Sequence, residues 1–374
     1  MPMRDVTVKE SIYRVVLAHR KRAVSNQHST ALMKWMSQAV KHLGPRIGDN
    51  VYVVGGAVRN FVIDQPVKDV DMVIDTEAAG RDSVWLAKQL AKLIPATTEI
   101  LTDGYGVGKI KVTSPWVVDG VDLSDFSAGG DAAIEIANAR AETYSDDTGG
   151  GYKPSVSWSG IDEDVLRRDF TFNTLMWRLS DLANGPDKAE IIDMTGCGIE
   201  DLKAGEARCP LDPDTTFHDD PTRMLRAIKF LVKYKLKIPN DTANAIRRKR
   251  MSLLKVSPSR TWNELVNLLN EKTWKQTLDE IDRLGLIEPL KILMQKDKQF
   301  SSSIKNVAAK LPVSFFIQLT DLGLPIRHEL SWLDAPGRKR VSDLAFSMSR
   351  EEQDEFVAAL VKPGNAIKDK SFYP

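Results

Sequence analysis

Two carboxylates, Asp69 and Asp71, stand one residue apart, and a glycine pair, Gly55-Gly56, and Arg59 precede them by a short interval. On an extended strand, residues two apart point to one face. Two like charges held together there are unfavourable unless a cation lies between them, and hard oxygen donors suit Mg2+. Glycine leaves the backbone open where a phosphate could approach, and arginine supplies a fork of donors for phosphate oxygens. Each part has a plain alternative: a Gly-Gly pair can be only a turn, and Asp-x-Asp only a solvated strand face. The ordered set, in one unit, describes a phosphate-and-metal site.

The elements that must position these groups are legible around them. Val51 to Val54 is an apolar run that reads as a buried strand, the glycines as a turn, and the residues from Arg59 as a short helix. A second strand running to Asp75 is expected to carry both aspartates. Farther on, Asp82 to Ile94 reads as a helix stopped by Pro95. Strands are expected near Ile110 to Val112, Trp116 to Leu123 and Ala133 to Ala137. Thr143 to Gly160, with Gly149, Gly150 and Gly151 in a row, reads as a loop. Residues 1 to 45 read as a helical extension with an apolar face of Leu32, Trp35, Met36, Ala39, Val40 and Leu43, capped by Ser29 or Thr30 and ended at Gly44-Pro45.

The spacing GGxVR, nine residues, DxD resembles the head-domain signature of the class II nucleotidyltransferases, the family of CCA-adding tRNA nucleotidyltransferases and bacterial poly(A) polymerases. Asn60 stands where the family usually has Asp. Two further stretches carry the resemblance. RRDFTFN, from Arg167, matches the family's RRDxTxN motif, and the match puts Arg168 on the nucleotide, with Asp169 and Asn173 bracing a helix. FHDDPTRMLRAIKF, from Phe217, matches EDxxRxLRxxRF, with Asp219 replacing Glu and Lys229 replacing Arg. By that match Asp220, which the local sequence places as an N-cap ahead of Pro221, would read the incoming base together with Arg223. Arg226 and Lys229 would hold triphosphate, lysine without arginine's fork. Glu135 falls in a segment resembling the strand on the metal side of the family's head sheet, and is expected either to support the metal site or to stand in solvent as an edge-strand glutamate. Ile191 to Arg208 resembles the turn that joins head to neck and is read as structural.

The resemblance runs from about Asn50 to Leu290. It implies an α+β fold, with a mixed-sheet nucleotidyltransferase head followed by an all-helical neck, body and tail. The boundaries expected are 1-45 for the extension, 46-180 for the head, 181-256 for the neck and 257-374 for an RNA-binding body and tail. The implied activity is template-independent transfer of CMP and AMP from CTP and ATP to the 3′ end of tRNA. Asp69 and Asp71 would hold Mg2+, while Gly56, Arg59 and Arg168 meet the nucleotide. An adenosine-only polymerase of the same family, or an inactive RNA-binding module on the same fold, are the alternatives.

Composition narrows the rest. The 374 residues suffice for more than one domain, and a formal net charge of +1 excludes a globally basic nucleic-acid binder, so any RNA contact must be local. Arg247 to Arg250 is one such basic run. Two cysteines and five histidines lack zinc spacing. Met1 to Arg22 lacks an uninterrupted apolar core, and no stretch is long enough to span a membrane. A cytoplasmic location, an RNA 3′ end with CTP and ATP as partners, and no protein partner are expected.

Overall fold

A computed structural model describes residues 13–15, 27–67, 69–94, 96–101, 106–112, 116–123, 134–144, 155–268 and 273–296. The glycine run 149–151 and everything from 297 onward, including the expected tail, lie outside the described residues. The chain packs as two compact units, which divide between Asp212 and Pro213.

The first unit is built on a mixed sheet. Its strands in chain order are β1 (Tyr13–Val15), β2 (Val51–Val54), β3 (Met72–Ile74), β4 (Ala96–Leu101), β5 (Val107–Val112), β6 (Val117–Val118), β7 (Val121–Asp122), β8 (Ile134–Asn138), β9 (Arg140–Thr143), β10 (Ser155–Trp158), β11 (Met176–Arg178) and β12 (Ile191–Asp193). Eight of them form one sheet in the order β1-β12-β11-β2-β3-β8-β5-β4, in which β3 and β8 are the parallel neighbours. Its helices are α1 (Gln27–His42), α2 (Pro45–Gly48), α3 (Gly56–Val62), α4 (Thr76–Ala79), α5 (Ser83–Ala91), α6 (Ile161–Leu166) and α7 (Gly198–Ala204).

Strand β2 is buried on both faces, as an apolar run should be in mid-sheet. Tyr52 and Val54 join Val73, Ala139, Ile161, Val165, Met176 and Ile192 in one core cluster, so α6 covers that face. Phe61 of α3 meets Trp177 edge to face, with ring centroids 4.7 Å apart.

Several expectations shift. The extension contains, besides α1, a strand: β1 pairs antiparallel with β12 at the sheet edge. Helix α1 begins at Gln27, so Ser29 lies inside it and its hydroxyl donates to the Val67 carbonyl at 2.6 Å instead of capping. The stretch 116–123 is a tight hairpin turned at Asp119 and Gly120, both at positive φ, not one strand. Ser155–Trp158, expected as loop, pairs with β9. The arginines of RRDFTFN follow α6 rather than sitting on it, since the helix ends at Leu166 and a short 3-10 turn, Thr171–Asn173, comes next.

The second unit is helical where it is described: α8 (Pro213–Asp219), α9 (Thr222–Tyr234), α10 (Asn240–Lys249), α11 (Pro258–Leu268), α12 (Trp274–Arg283) and α13 (Ile287–Lys296). Helix α9 buries Met224, Leu225, Ala227, Ile228, Phe230 and Leu231, the apolar stripe read from its spacing. Among the described residues, no helix is long and apolar enough to cross a membrane.

Candidate functional site in the sheet unit

Asp69 and Asp71 do not lie within β3 but lead into it. The extended pairing nevertheless begins before the strand, because the Asp71 carbonyl accepts the Val54 N–H at 3.1 Å. Alternation then places Asp71 on the same face as Val73, the face that α6 covers. In the parallel register Met72 lies opposite Ile136, so Asp71 comes opposite Glu135 one step earlier.

Asp69 and Glu135 both act on the charge of Asp71. Asp71 keeps access to solvent, yet desolvation by the surrounding protein raises its pKa above the ordinary carboxylate value. The Asp69 charge raises it further and Glu135 adds to this, while Arg168 and Arg59 pull it down. Glu135 itself pairs with Lys109 across β5 and β8 at 3.1 Å. Among the described residues, no three His, Cys, Asp or Glu side chains form a ready-made metal cage. The donor set fits a hydrated divalent cation instead, which takes one or two carboxylates and completes its shell with water and phosphate oxygens.

Two guanidiniums flank the glycine turn. Gly55 has φ 66°, ψ −116°, and a Cβ there would come within 3.2 Å of Arg168 Nη1. A Cβ on Gly56 would stand 3.7 Å from Arg59 Nη2. Arg59 is buried and held on both sides: Nη1 donates to Asn173 Oδ1 at 2.7 Å, and Nη2 and Nε donate to Asn60 Oδ1 at 2.9 and 3.2 Å. Asn60 is fixed in turn by donating to the Pro66 carbonyl at 2.8 Å. The amide at position 60 therefore keeps the arginine clamp that a carboxylate would provide, without its charge.

Arg168 is the more available of the two. Nη2 donates to Asp164 Oδ2 at 2.8 Å and Nη1 to the Asn173 carbonyl at 3.3 Å, but its buried Nε has no partner. An unpartnered buried donor beside a side-chain-free turn is what an anion would satisfy. Asp164, not singled out from the sequence, is fully buried and binds both Arg167 and Arg168. Burial alone would raise its pKa; Arg168 and Arg167 override that and hold it below the usual range. Arg167 extends the network to Glu142 at 3.0 Å, which also takes Arg140 and the Tyr144 hydroxyl. The signal for Asp164 was local: it stands four residues before Arg168, the spacing at which helical side chains meet.

Asp169 and Asn173 do brace one another, at 2.8 Å, across the 3-10 turn rather than along an α-helix. Asp193 and Asp201 are structural, as read: Asp193 accepts from the Gly196 and Ile199 amides, and Asp201 from the Thr171 hydroxyl and Arg208.

The other predicted residues lie in the helical unit. Helix α9 begins at Thr222, one residue later than expected. Pro221 stands at its N-cap position and offers no side-chain cap, so Asp220 is not the N-cap expected; from just outside the helix its Oδ1 accepts the Thr222 N–H at 3.0 Å and hydroxyl at 2.6 Å. Its Oδ2 accepts Arg260 Nη2 of α11 at 2.7 Å, a partner no local pattern announced. Arg223 is buried and donates to the Thr216 carbonyl at 3.0 Å. Arg226 and Lys229 are half-exposed on the same helix. In the basic run, Arg248 pairs with Asp214, Arg250 with Glu288 at 3.1 Å, and Arg247 donates to the Arg283 carbonyl at 3.3 Å.

Comparison with known proteins agrees with this layout. Residues 51–208 match the Poly A polymerase head domain, and residues 235–295 match a probable RNA- and SrmB-binding site of polymerase A. Poly(A) polymerase I of Salmonella typhi is 26% identical over 245 residues, covering 66% of this chain and 47% of the relative. The A-adding tRNA nucleotidyltransferase of Aquifex aeolicus is 30% identical over 241 residues, 64% of this chain and 25% of the relative. The match thus spans about half or less of the length of these curated relatives. A solved CCA-adding enzyme in an apo form superposes with a TM-score of 0.58 at 23% identity, over 90% of this chain and 72% of that one, which establishes the shared fold.

Proposed function

This chain belongs to the class II nucleotidyltransferase family, and on that premise we propose that it adds CMP and AMP from CTP and ATP to the 3′ end of tRNA, without a template, releasing pyrophosphate. The observation that carries the reading is the crowding of Asp71 by Asp69 and Glu135 opposite Arg59 and Arg168, at a turn free of side chains.

Asp69 and Asp71 would hold the divalent cation, Mg2+ by the all-oxygen donor set. When bound it lowers the pKa of an attacking ribose hydroxyl and offsets phosphate charge. The chain's own residues supply position and charge, which dominate phosphoryl transfer. Gly56 leaves room for a triphosphate beside Arg59, and Arg168 offers its unpartnered Nε edge. In the helical unit, Asp220 and Arg223 would read the base and Arg226 and Lys229 would take triphosphate oxygens. Cytosine and adenine present an amino donor beside a ring-nitrogen acceptor, which suits a carboxylate next to a guanidinium; uracil and guanine present the reverse. Mispairing in a closed site discriminates by about 10⁴-fold. The boundaries proposed are 46-180 for the head, 181-256 for the neck and 257-374 for the RNA-binding body and tail, with residues 181–212, including β12, packing in the sheet unit.

A tRNA lacking its last three nucleotides, incubated with Mg2+ and CTP alone, ATP alone, or both, tests this. Stepwise C, C, A addition is expected. Long A tails, or a single A only after two Cs are present, would instead identify an adenosine-only enzyme, the activity named for two of the relatives above. No incorporation of either nucleotide would leave an RNA-binding protein on this fold.

A further inference from the structure

The Asp220 carboxylate has a nearly complete set of partners. Oδ1 accepts the Thr222 N–H at 3.0 Å and the Thr222 hydroxyl at 2.6 Å, and Oδ2 accepts Arg260 Nη2 at 2.7 Å. A carboxylate offers about four acceptor positions, so about one remains, on Oδ2. Its side chain is only 11% exposed, whereas that of Arg260 is 45% exposed. Helix α9 therefore fixes one oxygen and helix α11 the other.

We propose that Arg260 is a specificity-determining positioning residue: by occupying one acceptor position of Asp220 Oδ2, it leaves room for a single amino hydrogen and excludes water from the base-reading edge. The proposal rests on Asp220 and Arg223 as the base readers. With Arg260 in place, Oδ2 presents a lone pair in a fixed direction. The amino group of cytosine or adenine satisfies it. The carbonyl oxygen of uracil or guanine meets a carboxylate oxygen and is repelled. Without Arg260, Oδ2 has two open acceptor positions and a water can enter. That water donates one hydrogen to Oδ2 and the other to the uracil or guanine carbonyl, bridging two acceptors that otherwise clash. Arg260 thus acts on discrimination through Asp220, not on the reacting phosphate.

The test uses the full chain, an RNA primer ending where a C or A is accepted, and each of the four nucleoside triphosphates separately. Arg260→Ala is expected to lower the preference for CTP and ATP over UTP and GTP about tenfold or more, the equivalent of one lost charge-assisted hydrogen bond. The change should lie in a lower KM for UTP and GTP rather than in kcat, and Arg260→Lys should restore most of the preference. Arg223→Ala runs alongside as the control on the base-reading premise. If Arg223→Ala blurs selectivity and Arg260→Ala does not, the role of Arg260 is refuted alone. If neither blurs it, the base-reading pair itself is refuted. A uniform fall with all four nucleotides together with a lower Tm makes Arg260 a structural residue and overturns the proposal. Should Arg260→Ala lose turnover altogether, equilibrium binding of CTP against UTP gives the same ratio without chemistry, and an unchanged ratio overturns it.

Discussion

Arg59, on the helix after the glycine turn, donates to Asn173 Oδ1 at 2.7 Å, and Asn173 Nδ2 donates in turn to Asp169 Oδ1 at 2.8 Å. Two distant motifs are thus one hydrogen-bonded unit around a buried guanidinium. Asn173→Ala removes the partner of a buried charged donor, which costs about 1.5–3 kcal/mol. Thermal unfolding should show a lower Tm, and steady-state kinetics a higher KM for the nucleotide. An unchanged Tm would mean that Arg59 is held without Asn173.

Asp164 supports Arg168 by the same logic at higher stakes, because its side chain is 0% exposed and faces two guanidiniums. Removing one partner from a buried ion pair costs about 3 kcal/mol or more. Asp164→Asn should lower Tm at neutral pH. Its folded pKa is depressed, so the stability it provides is present above the unfolded carboxylate value and is lost as pH falls through the lower folded value. The gap between variant and wild type should therefore close in acid. Its KM for nucleotide should rise more than kcat falls, since Arg168 loses its aim.

What could be read from the sequence was local. The β2 strand, the glycine turn and α3 follow from an apolar run and a glycine pair, and the face Asp71 shares with Val73 follows from alternation. The contacts made by strangers in sequence were not legible. Glu135 could be expected near Asp71 only through the family resemblance, since it comes opposite Asp71 because β8 is the parallel neighbour of β3 and nothing in the local pattern of either residue specifies that pairing. Arg260 reaches Asp220 from another helix. The three residues of β1 are too few to show a period. Local readings also slipped by small steps where side chains compete with the backbone. Asp169 Oδ1 takes the Phe170 amide just past the end of α6, and Asp220 Oδ1 takes the Thr222 amide just before α9. The basic run reads from sequence as a solvated helix face or an RNA contact, and charge in sequence carries no record of the acids that fold against it.

Gly55→Ala tests the turn directly. At φ 66°, ψ −116° an L side chain is strained, and the added Cβ would stand 3.2 Å from Arg168 Nη1. Strain of this kind costs about 1–3 kcal/mol. The guanidinium can shift by a few tenths of an ångström, but it then leaves its place beside the turn. A modest fall in Tm is expected together with a fall in kcat/KM of about 10²-fold, the scale of a misplaced reacting group. A variant with lowered Tm and normal kcat/KM would separate the turn from the chemistry.

The metal reading makes a prediction that does not depend on turnover. Desolvation and the charge of Asp69, with Glu135 beyond it, raise the folded pKa of Asp71, and the arginines offset this only in part. A carboxylate with a raised folded pKa binds protons more readily in the native state than in the unfolded one. Its ionisation therefore destabilises the fold, and stability declines as pH rises from the unfolded value through the folded one. In the absence of divalent cation, Asp71→Asn should have a higher Tm than wild type at neutral pH, and the two should converge in acid below the unfolded carboxylate range. Added Mg2+ should raise the wild-type Tm by linkage and leave the variant almost unmoved. Nucleotide addition should fall at least about 10³-fold in the variant, although it is the more stable protein. Equal Mg2+ shifts in both proteins would place the cation elsewhere and end the assignment of Asp71 as its ligand.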